Sequence, residues 1–254
     1  MLRLKFSLTS FTACSGCISS IISLDIFPQF MERTELIYCP FFLEQKELKP
    51  HDIALIEGCI SKEEQIEELK LIRKNAKKVY AIGSCAAFGG ILNLSNKLNG
   101  EPISNYIDIN GIIPGCPPPE KLLGNCLIRL IENKEIQLPE KNMCATCPLR
   151  ETMEIKSDKT INHSFSIPNE ALNRDDSQEC FLNKGILCLG PITRDGCEHV
   201  CIKQGVPCEG CMGPISKDFT SNMVNFLGLF NISESFKNYK EIFYRFSKPK
   251  FREA

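Results

Sequence analysis

Apolar and polar residues roughly alternate through residues 2–10 (LRLKFSLTS), the period-two pattern of a half-buried strand. The turn Cys14-Ser-Gly-Cys17 follows, and residues 18–24 then read as the first turns of a helix. Further strands are predicted at 35–42, at 52–58 (DIALIEG), at 78–83 (KVYAIG) and at 106–113. Residues 62–75 (KEEQIEELKLIRKN) place Ile66, Leu69 and Ile72 at helical spacing, with Ser61 as the candidate cap. Pro119 opens another helix running to about Asn133, because proline is tolerated in a first turn. Strand, loop, helix, strand is the rhythm of a parallel α/β sheet.

The second half reads differently. From 138 to 218 the periodicity fades, and Gly, Pro and Cys take its place. Residues 150–179 are polar and patternless, and so long a loop is usually functional or mobile. The expected organisation is an α/β domain over 1–137 followed by an irregular, Cys-rich domain over 138–254. The tail at 238–252 (NYKEIFYRFSKPKFR) mixes aromatic and basic residues. It reads equally well as a docking arm for a partner subunit or as a solvated terminal helix.

Composition narrows the class. The chain has 254 residues, 43% of them apolar, enough for an ordinary core without disulfide staples. Its opening lacks the apolar stretch and cleavage site of a signal peptide and carries no twin-arginine signal. No apolar run approaches transmembrane length, so no membrane insertion is expected. A reducing cytoplasm is the expected compartment, where clustered Cys means metal or redox chemistry. The formal charge is −1, which gives no net field for nucleic acid. Neither a phosphate loop nor a G-x-S-x-G elbow is present, so phosphoryl transfer and serine hydrolysis are not indicated.

Fifteen cysteines remain, and twelve fall into three groups of four. The first is Cys14, Cys17, Cys85 and Cys116, each just past a predicted strand, at the edge where α/β sheets collect ligands. The second is Cys144, Cys147, Cys180 and Cys188. The third is Cys197, Cys201, Cys208 and Cys211. Four thiolates hold one cubane cluster. Three such clusters would carry the loaded chain to a net charge of about −7, which further disfavours nucleic acid. Neither later spacing matches the bacterial ferredoxin run, and C-x-x-C pairs also suit structural zinc, so spacing alone leaves both the metal and the partition of the last eight open. Cys39, Cys59 and Cys126 read as buried spectators, with Cys59 least secure because it follows a strand at the same edge. His199 reads as an exposed loop residue, with metal ligation as the alternative.

The combination Cys14-x-x-Cys17, Glu57-Gly58, Gly83-Ser-Cys85-Ala-x-x-Gly-Gly90 and Pro114-Gly-Cys116-Pro-Pro resembles the small subunit of nickel–iron hydrogenases and of complex I. Cys188-Leu-Gly-Pro191, Gly196-Cys197, Cys201 and Pro207-Cys-x-Gly-Cys-x-Gly-Pro214 are similar to a cytoplasmic branch, the viologen-reducing hydrogenase gamma and sulfhydrogenase delta subunits. The resemblance covers about residues 4–215. It implies a flavodoxin-like first half and three 4Fe-4S clusters. Cys14, Cys17, Cys85 and Cys116 would hold the proximal one, facing the large subunit. Cys197, Cys201, Cys208 and Cys211 would hold the medial one, and Cys144, Cys147, Cys180 and Cys188 the distal one, near a downstream acceptor subunit. Ile18, Ser19 and Ser20 follow Cys17 where many relatives place an acid, which puts a proton route there in question. Cys occupies all twelve ligand positions, where periplasmic relatives often use His at one distal position and three Cys at the medial site.

The implied function is electron transfer between a partner's hydrogen-splitting site and an acceptor, with no hydrogen chemistry on this chain. Two alternatives stand beside it. One is a complex I-type redox subunit, a branch that needs only the first cluster. The other is a scaffold held by structural zinc.

Overall fold

The opening alternation forms strand β1 (Leu4–Ser10) in the computed structural model, which describes residues 3–43, 47–94, 98–153, 160–161, 179–215, 219–232 and 244–247. After it come helices α1 (Gly16–Ile22) and α2 (Phe27–Arg33), then strands β2 (Thr34–Tyr38) and β3 (His51–Glu57). Helix α3 (Glu63–Asn75), strand β4 (Ala76–Ile82), helix α4 (Gly83–Phe88), strand β5 (Gly111–Ile113) and helix α5 (Glu120–Ile131) complete the first half. The five strands form one all-parallel sheet in the order β2-β1-β3-β4-β5. That 2-1-3-4-5 order is the flavodoxin one, whose ligand edge lies at the β1/β3 switch point.

Helices cover both faces of the sheet. Leu69 and Ile72 of α3 pack with Ala54, Ile56, Val79 and Ala81 in one core cluster. Phe30 of α2 meets Phe6 edge-on at 5.1 Å, and α5 packs against α1 and α2. β3 and the end of β4, covered on both sides, read as apolar runs, whereas β1, expected to be half-buried, lies inside the sheet with Ser7 and Thr9 buried as fully as Phe6 and Leu8. The register aligns Ser10 with Glu57, Glu57 with Ile82 and Ile82 with Ile113. All four strands therefore end on one row, and the loops that leave it carry the first cysteine group.

Three details depart from the sequence reading. Only the last three residues of the strand predicted at 106–113, Gly111–Ile113, pair with β4. Ser61 does not cap α3. Gln65 Oε1 instead accepts the N–H groups of Ser61 (2.8 Å) and Lys62 (3.1 Å), and Ser61 Oγ turns to Thr12 Oγ1 at 2.6 Å. The sequence pattern does not predict helices α2 and α4.

The chain divides into two compact units, with the boundary between Leu138 and Pro139, and Pro139–Arg245 forms the second. That unit contains 3-10 turns, the short helix α6 (Val200–Lys203), α7 (Phe219–Gly228) and a two-residue parallel pair, Thr160–Ile161 with Asn231–Ile232. Its core contains two of the candidate ligands, Cys188 and Cys208, among Met143, Leu189, Ile202 and Phe226. Most of the loop at 150–179 and of the tail at 238–252 lies outside the described residues. Within the tail, Tyr244 is buried and its hydroxyl donates to Ile192 O. No helix among the described residues is long and apolar enough to cross a membrane.

Candidate metal centres

The first cysteine group assembles at the aligned strand ends. Cys14 lies in the loop after β1, and Ser15 beyond it adopts left-handed backbone (φ 63°), turning the chain into α1 so that Cys17 sits buried in the first helical turn. Cys85 lies in α4, directly after β4, and Cys116 in the Pro-rich loop after β5. Ser84 N–H donates to Gly115 O at 2.8 Å, which ties those two loops together. Gly83 is indispensable to the approach. At φ +79°, a Cβ added there would lie 2.2 Å from Cys17 Sγ and 3.6 Å from Gly115 O. Gly90 plays the same part for Cys85, with an added Cβ 2.6 Å from its Sγ.

The four thiols lie in one another's electrostatic field. Burial pushes Cys17 far above the usual thiol value, and the Glu57 carboxylate and the Cys85 and Cys116 thiols add to it. Cys85 is pushed up to about 12 by burial, then by Cys59, Cys116 and Cys14. Burial and then Cys14 raise Cys116. Burial is the largest cause in all three, and the charges of the neighbouring groups add to it. Cys14 and Cys116 are exposed, so the group opens to the surface.

Glu57 is a site residue to which sequence reasoning gave no role. It ends β3, is 1% exposed, and its Oε1 accepts the Cys17 N–H at 2.9 Å. Its Oε2 has no hydrogen-bond partner among the described residues. The signal was present in the sequence, an acid closing an otherwise apolar strand (DIALIEG). The hydroxyls that follow Cys17 are spent locally: Ser19 Oγ donates to Ser15 O at 3.0 Å and Ser20 Oγ to Gly16 O at 2.9 Å. Cys39 and Cys126 are buried, as expected of spectators, whereas Cys59, fully buried, acts on Cys85.

The second group also converges. Cys144 lies in a 3-10 turn that Asn142 caps by accepting Ala145 N–H at 3.1 Å. Thr152 Oγ1 accepts Cys180 N–H at 2.9 Å, joining two segments 28 positions apart. Gly190 lies against two of the sulfurs, since a Cβ added there would be 3.1 Å from Cys144 Sγ and 3.7 Å from Cys188 Sγ. Cys144 is raised by burial and by Cys188, Cys147 and Cys180. Cys188 is pushed up to about 11 by burial, the Gly190 and Cys208 amides opposing and Cys180 and Cys147 adding.

The third group is joined pairwise. Cys197 is raised by burial, with Cys201 and Asp195 adding, and Cys208 by burial, with Cys188 and Cys211 adding. Met143 links the pairs, its Sδ 3.7 Å from Cys197 Sγ and 3.4 Å from Cys208 Sγ. His199, expected to be exposed, is 6% exposed, and its Nε2 lies 2.9 Å from Met143 O. It is a structural residue of the turn into α6, because its left-handed backbone (φ 59°) carries the ring inward.

Among the described residues, no three His, Cys, Asp or Glu side chains converge as the ligands of a single ion do. Thiolates around a tetrahedral zinc stand about 3.8 Å apart.

A family model described as NADH ubiquinone oxidoreductase, 20 Kd subunit, matches residues 14–130. A subunit of the F420-non-reducing hydrogenase vhu of Methanocaldococcus jannaschii is 31% identical over 261 residues, covering 89% of this chain and 88% of that protein. Sulfhydrogenase 2 subunit delta of Pyrococcus furiosus is 26% identical, covering 83% of this chain and 86% of its own. Among solved structures, the [NiFeSe] hydrogenase from Desulfovibrio vulgaris Hildenborough aligns at a TM-score of 0.61 with 19% identity, over 87% of this chain and 97% of that one. The actinobacterial-type NiFe-hydrogenase from Ralstonia eutropha H16 aligns at 0.62 with 14% identity, over 92% and 83%. Both structural likenesses concern the fold.

Proposed function

The chain belongs to the hydrogenase small-subunit family that includes this F420-non-reducing hydrogenase component, and from that premise we propose that it is the electron-transfer subunit of a cytoplasmic nickel–iron hydrogenase. It is a subunit of an oxidoreductase and not itself the catalytic one. In this reading Cys14, Cys17, Cys85 and Cys116 hold the 4Fe-4S cluster that faces a nickel–iron large subunit. Cys197, Cys201, Cys208 and Cys211 hold a second cluster, and Cys144, Cys147, Cys180 and Cys188 a third, toward an acceptor subunit. Residues 1–137 carry the first cluster and 138–254 the other two. Bound clusters supply one-electron transfer at potentials set by hydrogen bonds, charge and exposure.

The observation that carries the proposal is that three sequence-distant loops bring four thiols to the row of strand ends. The chain's residues hold that meeting in place. Gly83 and Gly90 admit the sulfurs, Glu57 fixes the Cys17 turn, and burial of Cys17 keeps water from its sulfur while Cys14 and Cys116 face outward. The match to the 20 Kd subunit model ends at residue 130 and contains only the first group. The similarity to the Methanocaldococcus jannaschii hydrogenase component extends over 89% of the chain, and this extent favours the hydrogenase branch over the complex I type.

Anaerobic purification with metal and sulfide analysis tests the reading. About twelve irons and matching acid-labile sulfide are expected from three cubanes. Co-purification of a large subunit with two C-x-x-C nickel motifs is expected as well. Stoichiometric zinc without sulfide would replace the electron relay with a structural role.

A further inference from the structure

The two cysteine groups of the second unit are interlocked through their loops. Cys208 stands in the third group, yet its backbone N–H donates to Cys188 Sγ, in the second, at 3.3 Å. The residue after Cys188 returns the contact, Leu189 N–H donating to Cys208 O at 2.8 Å. Met143 makes a second link. It directly precedes Cys144, and its sulfur touches both Cys197 and Cys208 of the third group. Met143 N–H donates to Thr193 O, and Arg194 N–H donates to Gly213 O, each at 2.9 Å. Cys188 and Cys208 are each 5% exposed and lie in one core cluster with Met143.

These contacts have a consequence for loading. Among its described residues the unit has few turns of regular helix to hold its ligand loops, so the bound centres themselves would supply much of the order. Loading the second group fixes Cys188 and, through the two hydrogen bonds that join them, the backbone of Cys208, aiming its side chain into the third group. Loading the third group fixes Cys197 and Cys208 around Met143, which seats the turn that carries Cys144.

We propose that the second and third groups load as one cooperative unit, neither holding its cluster without the other. The proposal rests on the three-cluster reading above. Cys208 is its hinge, with a sulfur that serves one centre and an amide that serves a sulfur of the other.

The test is iron and sulfide content of the full chain, purified anaerobically, with Cys201→Ala. Cys201 is exposed, and alanine suits the short helix it occupies. Cooperative loading lowers iron from about twelve to about four per chain, with sulfide in step. Retention of about eight irons or more overturns the proposal while leaving the three-cluster reading intact. A wild-type chain without sulfide overturns both.

A second measurement separates cooperativity from a unit that has merely unfolded. Cys14→Ala/Cys17→Ala removes the first group and leaves the second unit unaltered. This variant is supplied with half its iron and sulfide and weighed by native mass spectrometry. Empty chains and chains with about eight irons are expected. A dominant population with about four irons refutes the coupling.

Discussion

Gly83→Ala probes the first centre through a residue that is not a ligand. The new methyl would lie 2.2 Å from Cys17 Sγ, and the backbone is held at φ +79°. Ordinary contact needs about 3.5–4 Å, so the sulfur must retreat by about 1.3 Å or more. Metal ligands tolerate displacements of only about 0.2 Å. Left-handed backbone costs an alanine about 1–2 kcal/mol and overpacking about 1–3, for a total of about 2–5 kcal/mol. Gly205→Ala is the matched control, because Gly205 has φ +74° but nothing within 4 Å of an added Cβ. The control is expected to lose only about 1–2 kcal/mol and no iron. Gly83→Ala is expected to lose the larger amount and about four irons per chain, measured by anaerobic iron assay and urea unfolding. Equal behaviour of the two variants would refute the claim that Gly83 exists to admit the Cys17 sulfur.

Glu57→Ala leaves the buried Cys17 N–H without its acceptor and should cost about 1–3 kcal/mol in urea unfolding, with iron loss confined to the first centre. Glu57→Gln keeps an acceptor oxygen and should retain the iron. A glutamine variant as defective as the alanine one would assign Glu57 a role in charge and not in positioning. Burial alone would raise the Asp52 carboxyl, but the Lys77 ammonium and the Lys5 amide outweigh it and hold the group below its ordinary value. Its contribution is therefore present above the unfolded carboxylate value and lost as pH falls through the lower folded one. Asp52→Asn should cost about 0.5–1 kcal/mol at pH 7, with the gap closing in unfolding measured toward pH 3. A gap that widens on acidification would reverse the sign of that linkage.

The parallel sheet was legible because strands alternated with helices along the first half, and the largely apolar runs in DIALIEG and KVYAIG suit strands covered on both faces. Long helices were legible for a similar reason: α3 repeats its apolar positions over three turns, whereas GSCAAF in α4 is too short to repeat anything. The row of strand ends followed from topology, which is why Cys14, Cys17, Cys85 and Cys116 were each expected just past a strand. Periodicity reports which face a residue occupies and says nothing of distant partners. That is why the bond from Thr152 to Cys180 and the one from Cys208 to Cys188 were invisible in the sequence. Glu57 and His199 failed in opposite ways. The strand around Glu57 marked it as buried without naming the Cys17 amide as its partner. The polar loop around His199 marked it as exposed, although its left-handed backbone turns it inward to Met143 O.

The central claim is that electrons released from hydrogen by a partner pass into the thiol-held centres of this chain. The direct measurement is low-temperature electron paramagnetic resonance of the intact complex, purified anaerobically and exposed to hydrogen gas. The account expects signals of reduced 4Fe-4S clusters to appear under hydrogen and to vanish on re-oxidation. They should account for about twelve irons of this chain, and the contribution of the first centre should be missing in Gly83→Ala. A complex that takes up hydrogen while every centre on this chain stays oxidised, or that carries zinc in their place, would contradict it.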